Sequence, residues 1–115
     1  MADGATELSR IALQRADLFR QQCYINGKWT GDPTIAVHNP ATRGLIGHVP
    51  NLGRTETEAA VAAAQAALPK WRAEPAAARA KILRRWNELM LKHQSDLARL
   101  MTAEQGKPLA EATGE

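Results

Sequence analysis

One cysteine and two glutamates are the residues of this chain with the clearest potential for covalent chemistry. Cys23 could attack an electrophile as a thiolate, and Glu104 or Glu111 could serve as a general base. An activated thiolate needs a helix N-terminus or a nearby cation, whereas Cys23 lies between Gln22 and Tyr24 in a strand-like segment. We therefore predict that Cys23 is a small packing residue and not a nucleophile.

The positions of the two glutamates indicate structural roles. Glu104 lies at the end of one predicted helix, just before Gly106. Glu111 lies in the first turn of the next predicted helix, after Pro108, where a carboxylate interacts favourably with the positive end of the helix dipole. We predict no catalytic residue in this chain.

Metal and phosphate sites are also not predicted. His38, His48 and His93 are widely spaced and have no cluster of cysteines or acids beside them, which argues against zinc. Lys107 follows Gly106 but lacks the upstream glycine of a phosphate-binding loop, and the chain contains no G-x-G-x-x-G motif. We predict no cofactor-binding or metal-binding residue, and Lys107 is expected to face solvent.

Composition is that of a globular protein with a thin core. The 115 residues are 44% hydrophobic and 23% charged, but alanine makes up much of the apolar share and aromatics are only 4%. A single cysteine excludes an internal disulfide and fits a reducing cytoplasm. The sequence contains no membrane-spanning run, and residues 1–4 do not resemble a signal peptide. Residues 8–20 are amphipathic, but Glu7 and Asp17 argue against a transit peptide.

The net charge of +3 arises largely between Lys70 and Arg99. A basic helix could bind nucleic acid, but no binding motif accompanies it, and a solvated helix face is the favoured interpretation. We predict no nucleic-acid partner. Trp71 and Trp86 fall on helical stripes and are expected to pack against neighbours instead of stacking on a ligand.

The first half of the chain predicts a short N-terminal helix and then strands over about residues 22–50. Asn26-Gly27 is a strong hairpin signal, because both residues tolerate positive φ in a type I′ turn. Residues 34–38 and 45–49 predict two further strands, which are joined by a turn over residues 39–44.

Three helices are predicted over about residues 55–105. Thr55 and Glu58 suggest a capping box, and Pro69 is expected to weaken the last turn of that helix. Pro75 is expected to start the longest helix, and Ser95 to cap the third, which closes at Gly106. The apolar stripe of the middle helix consists of Ala78, Ile82, Leu83, Trp86, Leu89 and Met90.

Several segments together resemble the aldehyde dehydrogenase family from about residue 18 to residue 115. They are Tyr24-Ile25-Asn26-Gly27-Lys28-Trp29, Asn39-Pro40-Ala41-Thr42, Ile46-Gly47-His48-Val49-Pro50, Trp71-Arg72 with the helical stretch 79–86, and Glu104-Gln105-Gly106-Lys107-Pro108 with Glu111-Ala112. Residues 18–22 and 100–102 resemble the succinate-semialdehyde dehydrogenase branch. Arg43 departs from the small residue that is usual in the family, at a turn position.

The resemblance implies an α/β family fold in which residues 1–115 form an incomplete N-terminal part of the cofactor-binding domain, itself α+β. It implies NAD or NADP as cofactor, a small aldehyde substrate, a cysteine thiohemiacetal intermediate, and a dimer or tetramer in the cytoplasm. The helix that begins after Pro108 stops after about two turns, so a truncated and inactive chain is expected. The alternatives are a small helical interaction module and a basic nucleic-acid binder.

Overall fold

The computed structural model describes residues 7–115, so the expectation about a signal peptide at residues 1–4 lies outside the described part. Four short strands precede the longer helices, which confirms the predicted α+β arrangement. In chain order the elements are α1 (Glu7–Ile11), β1 (Cys23–Ile25), β2 (Lys28–Thr30), β3 (Pro33–His38), β4 (Leu45–Pro50), α2 (Arg54–Ala73), α3 (Ala76–Lys92), α4 (Gln94–Gln105) and α5 (Leu109–Gly114).

The hairpin of β1 and β2 turns at the predicted dipeptide. Asn26 and Gly27 have φ angles of 51° and 74°, which is the left-handed conformation that a type I′ turn requires. The rings of Tyr24 and Trp29 lie 5.0 Å apart on this hairpin, and the guanidinium of Arg20 lies 4.6 Å from the Trp29 ring. Strands β1 and β2 are therefore joined by contact between aromatic side chains as well as by backbone hydrogen bonds.

Strands β3 and β4 form a second antiparallel pair, which closes at the predicted turn. The Asn39 backbone N–H donates to the Gly44 carbonyl at 2.9 Å, and the Asn39 side-chain oxygen accepts the Ala41 N–H at 2.9 Å. Arg43 has a φ of 65°. Arg43, which departs from the family pattern, therefore occupies a left-handed position, where a residue with a Cβ is strained.

The predicted capping box of α2 is wrong by two residues. The helix begins at Arg54, after Gly53, and the Glu56 carboxylate accepts the Gly53 N–H at 3.0 Å. Thr55 therefore lies inside the first turn, and Glu58 pairs with Arg54 at 3.0 Å. Glycine cannot supply the side-chain half of a capping box, so only the carboxylate half is present.

Two other predicted helix features differ from the structure. Helix α2 has 20 residues against 17 in α3, so the helix after Pro75 is not the longest. Pro69 lies inside α2 one turn before its end at Ala73, and the expected weakening of that turn stays a prediction. His93 and not Ser95 precedes α4, since α3 and α4 are separated by this single residue.

The N-terminal helix is shorter than the predicted amphipathic segment. Helix α1 ends at Ile11 because Ala12 has a φ of 53°, and a 3₁₀ turn follows at Ala16–Leu18.

At the C-terminal end of α4, Gly106 has a φ of 82° and its N–H donates to the Thr102 carbonyl at 2.9 Å. The predicted glycine end of α4 is thus confirmed.

The core is small and lies between α1, β4 and α4. Ile11, Ile46 and Ala103 are buried at its centre. Half-buried neighbours complete it: Leu8, Leu13, Phe19, Val37 and Leu100. Helices α2 and α3 contribute no buried residue, and Trp71 and Trp86, which were expected to pack, are 38% and 62% exposed.

None of the helices within residues 7–115 combines the length and apolar content needed to cross a bilayer.

Replacing Arg43 with glycine is expected to stabilise the β3–β4 turn by up to about 1 kcal/mol, because glycine adopts the left-handed conformation without a Cβ clash. The measurement is hydrogen exchange of the Asn39 amide, which should slow in Arg43→Gly. Arg43→Ala removes the same charge but keeps the Cβ, so it should show no such slowing. Equal exchange rates in both variants would contradict this account.

Candidate functional site

The residues with potential for covalent chemistry are placed on separate elements. Cys23 opens β1, where it pairs with Thr30 and is half-buried. Glu104 is exposed near the end of α4 and Glu111 is exposed in the first turn of α5, as predicted. Within the described residues, no hydrogen bond joins the Cys23 thiol to either carboxylate. The arrangement does not resemble a nucleophile with an adjacent base.

The histidines are likewise dispersed. His38 ends β3, His48 lies in β4, and His93 occupies the junction of α3 and α4. Across residues 7–115, no group of three or more histidine, cysteine or acidic side chains is arranged to hold a metal ion. Lys107, which was expected to face solvent, is 23% exposed and forms an ion pair with Glu115. Its ammonium group is thus partnered within the chain.

A buried glutamate joins α1 to the turn between β3 and β4. Glu7 is 8% exposed, and its Oε1 accepts hydrogen bonds from the Asn39 amide and the Thr42 hydroxyl, both at 2.9 Å. Arg10 lies 3.6 Å from the same carboxylate. A Cβ on Gly44 would lie 2.6 Å from Glu7 Oε2, so the Glu7 carboxylate would have to shift to accommodate any larger residue there.

A second buried carboxylate joins the N-terminal segment to α4. Asp96 is 3% exposed, and its two oxygens accept the backbone N–H groups of Gln14 at 3.0 Å and Arg15 at 2.9 Å. The pKa of Asp96 lies below its ordinary value, chiefly because the Gln14 N–H donates to the ionised carboxylate. Burial opposes this shift, while the Arg15 N–H, Arg99 and His93 add to it.

Arg15 and Arg99 lie close to the hydrogen bonds that Asp96 accepts. Arg15 forms an ion pair with Asp17 at 2.6 Å and contacts the His93 ring at 3.2 Å. Hydrogen bonding to Asp17 raises the pKa of the Arg15 guanidinium, and hydrogen bonding to Arg15 lowers the pKa of the Asp17 carboxyl. Arg99 donates to the Ala12 carbonyl at 2.8 Å. The guanidinium groups of Arg15 and Arg99 are therefore both engaged in contacts that involve the N-terminal segment.

An open cleft of about 360 Å³ lies beside the buried Glu7 carboxylate. Its lining consists of Glu7, Arg10, Ile11, Ala12, Asn39, Arg99, Thr102, Ala103 and Leu109. Both arginines are already engaged, Arg10 with Glu7 and Arg99 with a backbone carbonyl. The lining contains neither a thiol nor a histidine, and no hydrogen bond joins its Thr102 hydroxyl, which is buried without a partner, to a base among the described residues.

Sequence reasoning missed both buried carboxylates. Glu7 was considered only as an acid that argues against a transit peptide, and Asp96 was assigned no role. The partners of Asp96 lie more than 80 residues away along the chain, so local patterns carried no signal for them. Its position in the first turn of α4 was the single available hint, because acids are favoured there.

Acidification is expected to release the N-terminal segment from α4. Because folding lowers the pKa of Asp96, its contribution to stability is fully present above the unfolded pKa of about 3.9 and is lost as pH falls through the lower folded value. Asp96→Asn should mimic this loss at neutral pH and accelerate exchange of the Gln14 and Arg15 amides roughly tenfold.

Hydrogen exchange at pH 7 measures this effect. Glu104→Gln is the matched control, because it removes an exposed carboxylate from the same helix and should leave both amides unchanged. Unchanged protection in Asp96→Asn would show that the carboxylate does not hold the segment.

Comparison with known proteins places this arrangement in a family. The sequence profile described as "Aldehyde dehydrogenase family" matches residues 29–115. The chain is 59% identical over 108 residues to a glutarate-semialdehyde dehydrogenase of Pseudomonas putida, covering 91% of this chain and 22% of that protein. It is 57% identical over 108 residues to the NADP-dependent succinate-semialdehyde dehydrogenase of Escherichia coli, with the same coverage.

A solved structure shows the same backbone. The crystal structure described as an E. coli NADP-dependent enzyme superposes with a TM-score of 0.85 at 56% identity, covering 89% of this chain and 22% of that one. The chain thus spans about 22% of the length of the curated relatives that it matches. The profile match extends over most of the sequence, and the chain belongs to the aldehyde dehydrogenase family.

Proposed function

We propose that this chain forms part of an NAD(P)-dependent dehydrogenase that oxidises a small semialdehyde, with succinate semialdehyde to succinate as the preferred reaction. The observation that carries the proposal is identity of 59% and 57%, over 108 residues, to relatives named for glutarate and succinate semialdehydes. Both of these molecules carry an aldehyde at one end and a carboxylate at the other. A substrate of that chemistry is therefore the natural choice.

The reaction needs groups that we do not assign to this chain. A cysteine thiolate attacks the aldehyde carbon to form a thiohemiacetal, and a general base activates water to release the acid. A bound nicotinamide accepts the hydride. Residues 7–115 offer no G-x-G-x-x-G turn to hold a dinucleotide and no paired thiol and base, so no step is assigned to them. We expect these groups in the parts of whole relatives that lie outside the matched 22%.

In this proposal the chain has a structural role. It contributes the two hairpins and the helices of α2 to α5 to a cofactor-binding domain, and the whole enzyme is a dimer or tetramer in the cytoplasm. NADP is the cofactor named for the E. coli relative, and the choice between NAD and NADP here follows the ribose-binding residues of the whole protein.

A small helical interaction module is the alternative, and the exposure of α2 and α3 favours it. Neither helix contains a buried residue, so each presents an apolar stripe that a partner could cover. Such a module would unfold cooperatively by itself. The enzyme portion should instead unfold in urea over a broad range, as followed by tryptophan fluorescence.

The proposed function is tested by a chimera in which residues 1–115 replace the matched part of the E. coli succinate-semialdehyde dehydrogenase. NADPH formation from succinate semialdehyde should remain within about tenfold of the parent enzyme. The isolated chain should produce no NADPH above the blank. Cys23→Ser in the chimera should leave the rate unchanged, because the Cys23 thiol is not assigned to the chemistry.

Two results would contradict the proposal. One is a folded chimera that oxidises neither succinate nor glutarate semialdehyde. The other is turnover by residues 1–115 alone that disappears on Cys23→Ser.

A further inference from the structure

The turn between β1 and β2 presents an asparagine followed by a glycine to solvent. Asn26 and Gly27 form a two-residue loop, and both residues are exposed. The flanking residues Ile25 and Lys28 pair with each other, so the Gly27 N–H lies outside the ladder of backbone hydrogen bonds. Within residues 7–115, no hydrogen bond holds the side-chain amide of Asn26. The side-chain amide and the neighbouring backbone nitrogen are therefore both without a partner in this turn.

The surroundings of the turn are open. A Cβ added to Gly27 would meet no heavy atom within 4 Å. The turn borders a groove of about 410 Å³, whose other lining residues are Tyr24, Ile25 and four alanines of α2. None of these neighbours carries a charged group or a large side chain from α2. No packed side chain therefore blocks a local rearrangement of Asn26.

An asparagine before a glycine is chemically labile, and asparagine is among the thermolabile residues of proteins. The backbone nitrogen of Gly27 bonds to Asn26 Cγ, the Cγ–Nδ2 bond breaks, and the amide proton leaves with the nitrogen as ammonia. The product is a five-membered succinimide, which water then opens. Breaking the bond between the ring nitrogen and the side-chain carbonyl carbon gives aspartate. Breaking the bond between the ring nitrogen and the main-chain carbonyl carbon gives isoaspartate.

The other asparagines of the sequence lack one of these conditions. Asn39 is followed by Pro40, which has no N–H to provide the nucleophile. Asn87 lies inside α3, where the next backbone N–H is donated within the helix. Asn51 is exposed, but Leu52 carries a branched side chain beside the nitrogen that would attack. Exposure, an unpaired side chain and a following glycine thus coincide in the β1–β2 turn.

We propose that the β1–β2 turn is a site of spontaneous modification, at which Asn26 reacts with the backbone nitrogen of Gly27 and is converted into aspartate and isoaspartate. The co-reactant is water, and no oxidant or enzyme takes part. Each conversion adds one negative charge and so lowers the net charge of +3 by one. The inference concerns the chemistry of the chain itself and does not depend on the proposed function.

The two products affect the hairpin differently. Aspartate leaves the main chain unchanged and tolerates a positive φ as asparagine does, so the turn is expected to persist. Isoaspartate routes the main chain through the former side-chain carbon and adds a methylene group to the two-residue loop. Because loop length selects the turn type, this form is expected to lose the pairing of Ile25 with Lys28. It should also separate Tyr24 from Trp29, whose rings lie 5.0 Å apart.

Peptide mapping by mass spectrometry tests the site in the 115-residue chain, incubated without denaturant at neutral and at alkaline pH. The peptide with residue 26 should gain the mass difference between an amide and an acid and should separate into two products. Conversion should be at least about tenfold faster than at Asn39, Asn51 or Asn87. It should accelerate at alkaline pH, because the deprotonated backbone nitrogen is the nucleophile.

Two variants identify the reacting side chain. Asn26→Gly removes it but still adopts a positive φ, so it should form neither product while the hairpin is retained. Asn51→Gly is the matched control and should leave the conversion of Asn26 unchanged. Asn26→Asp represents the first product and should keep the backbone amides of Tyr24 and Trp29 protected from hydrogen exchange, whereas the purified isoaspartate form should expose them.

The same chain unfolded in urea provides the reference rate. Without denaturant, Asn26 should react no more than about tenfold more slowly than in urea. An Asn26 that stays intact while the unfolded chain reacts would overturn the inference, because the folded turn would then prevent ring closure. Equal conversion at Asn51 and Asn26 would also overturn it. Equal amide exchange in the aspartate and isoaspartate forms would contradict the expected effect on the hairpin.

Discussion

The hydrogen bonds from two backbone N–H groups, those of Gln14 and Arg15, to the Asp96 carboxylate are the interaction on which the small core depends. It holds residues 14 and 15 against the start of α4, while Glu7 holds α1 against the β3–β4 turn. Between these points Ala12 has a positive φ of 53°, and its neighbours Ile11 and Leu13 both belong to the core. Two carboxylates thus position a segment that has little regular structure of its own.

The small extent of this core explains why the rest of the described chain is so exposed to solvent. The core cluster is formed by residues of α1, β3, β4 and α4 together with Leu13 and Phe19 of the segment after α1, whereas the two longest helices have no buried residue. Most helical stability in proteins comes from packing an amphipathic face against a neighbour. The described residues therefore contain fully formed helices but little of the packing that would stabilise them.

Local features could be predicted from the sequence, and long-range ones could not. The Asn26-Gly27 hairpin and the Gly106 helix end were predictable because a positive φ restricts those positions to few residue types. The cap of α2 was misplaced because Thr55 and Gly53 are both plausible first residues, and the Glu56 carboxylate decides between them. Glu7 and Asp96 were missed because their partners are remote in sequence, and Trp71 and Trp86 were expected to pack because a helical stripe does not reveal whether a neighbour is present.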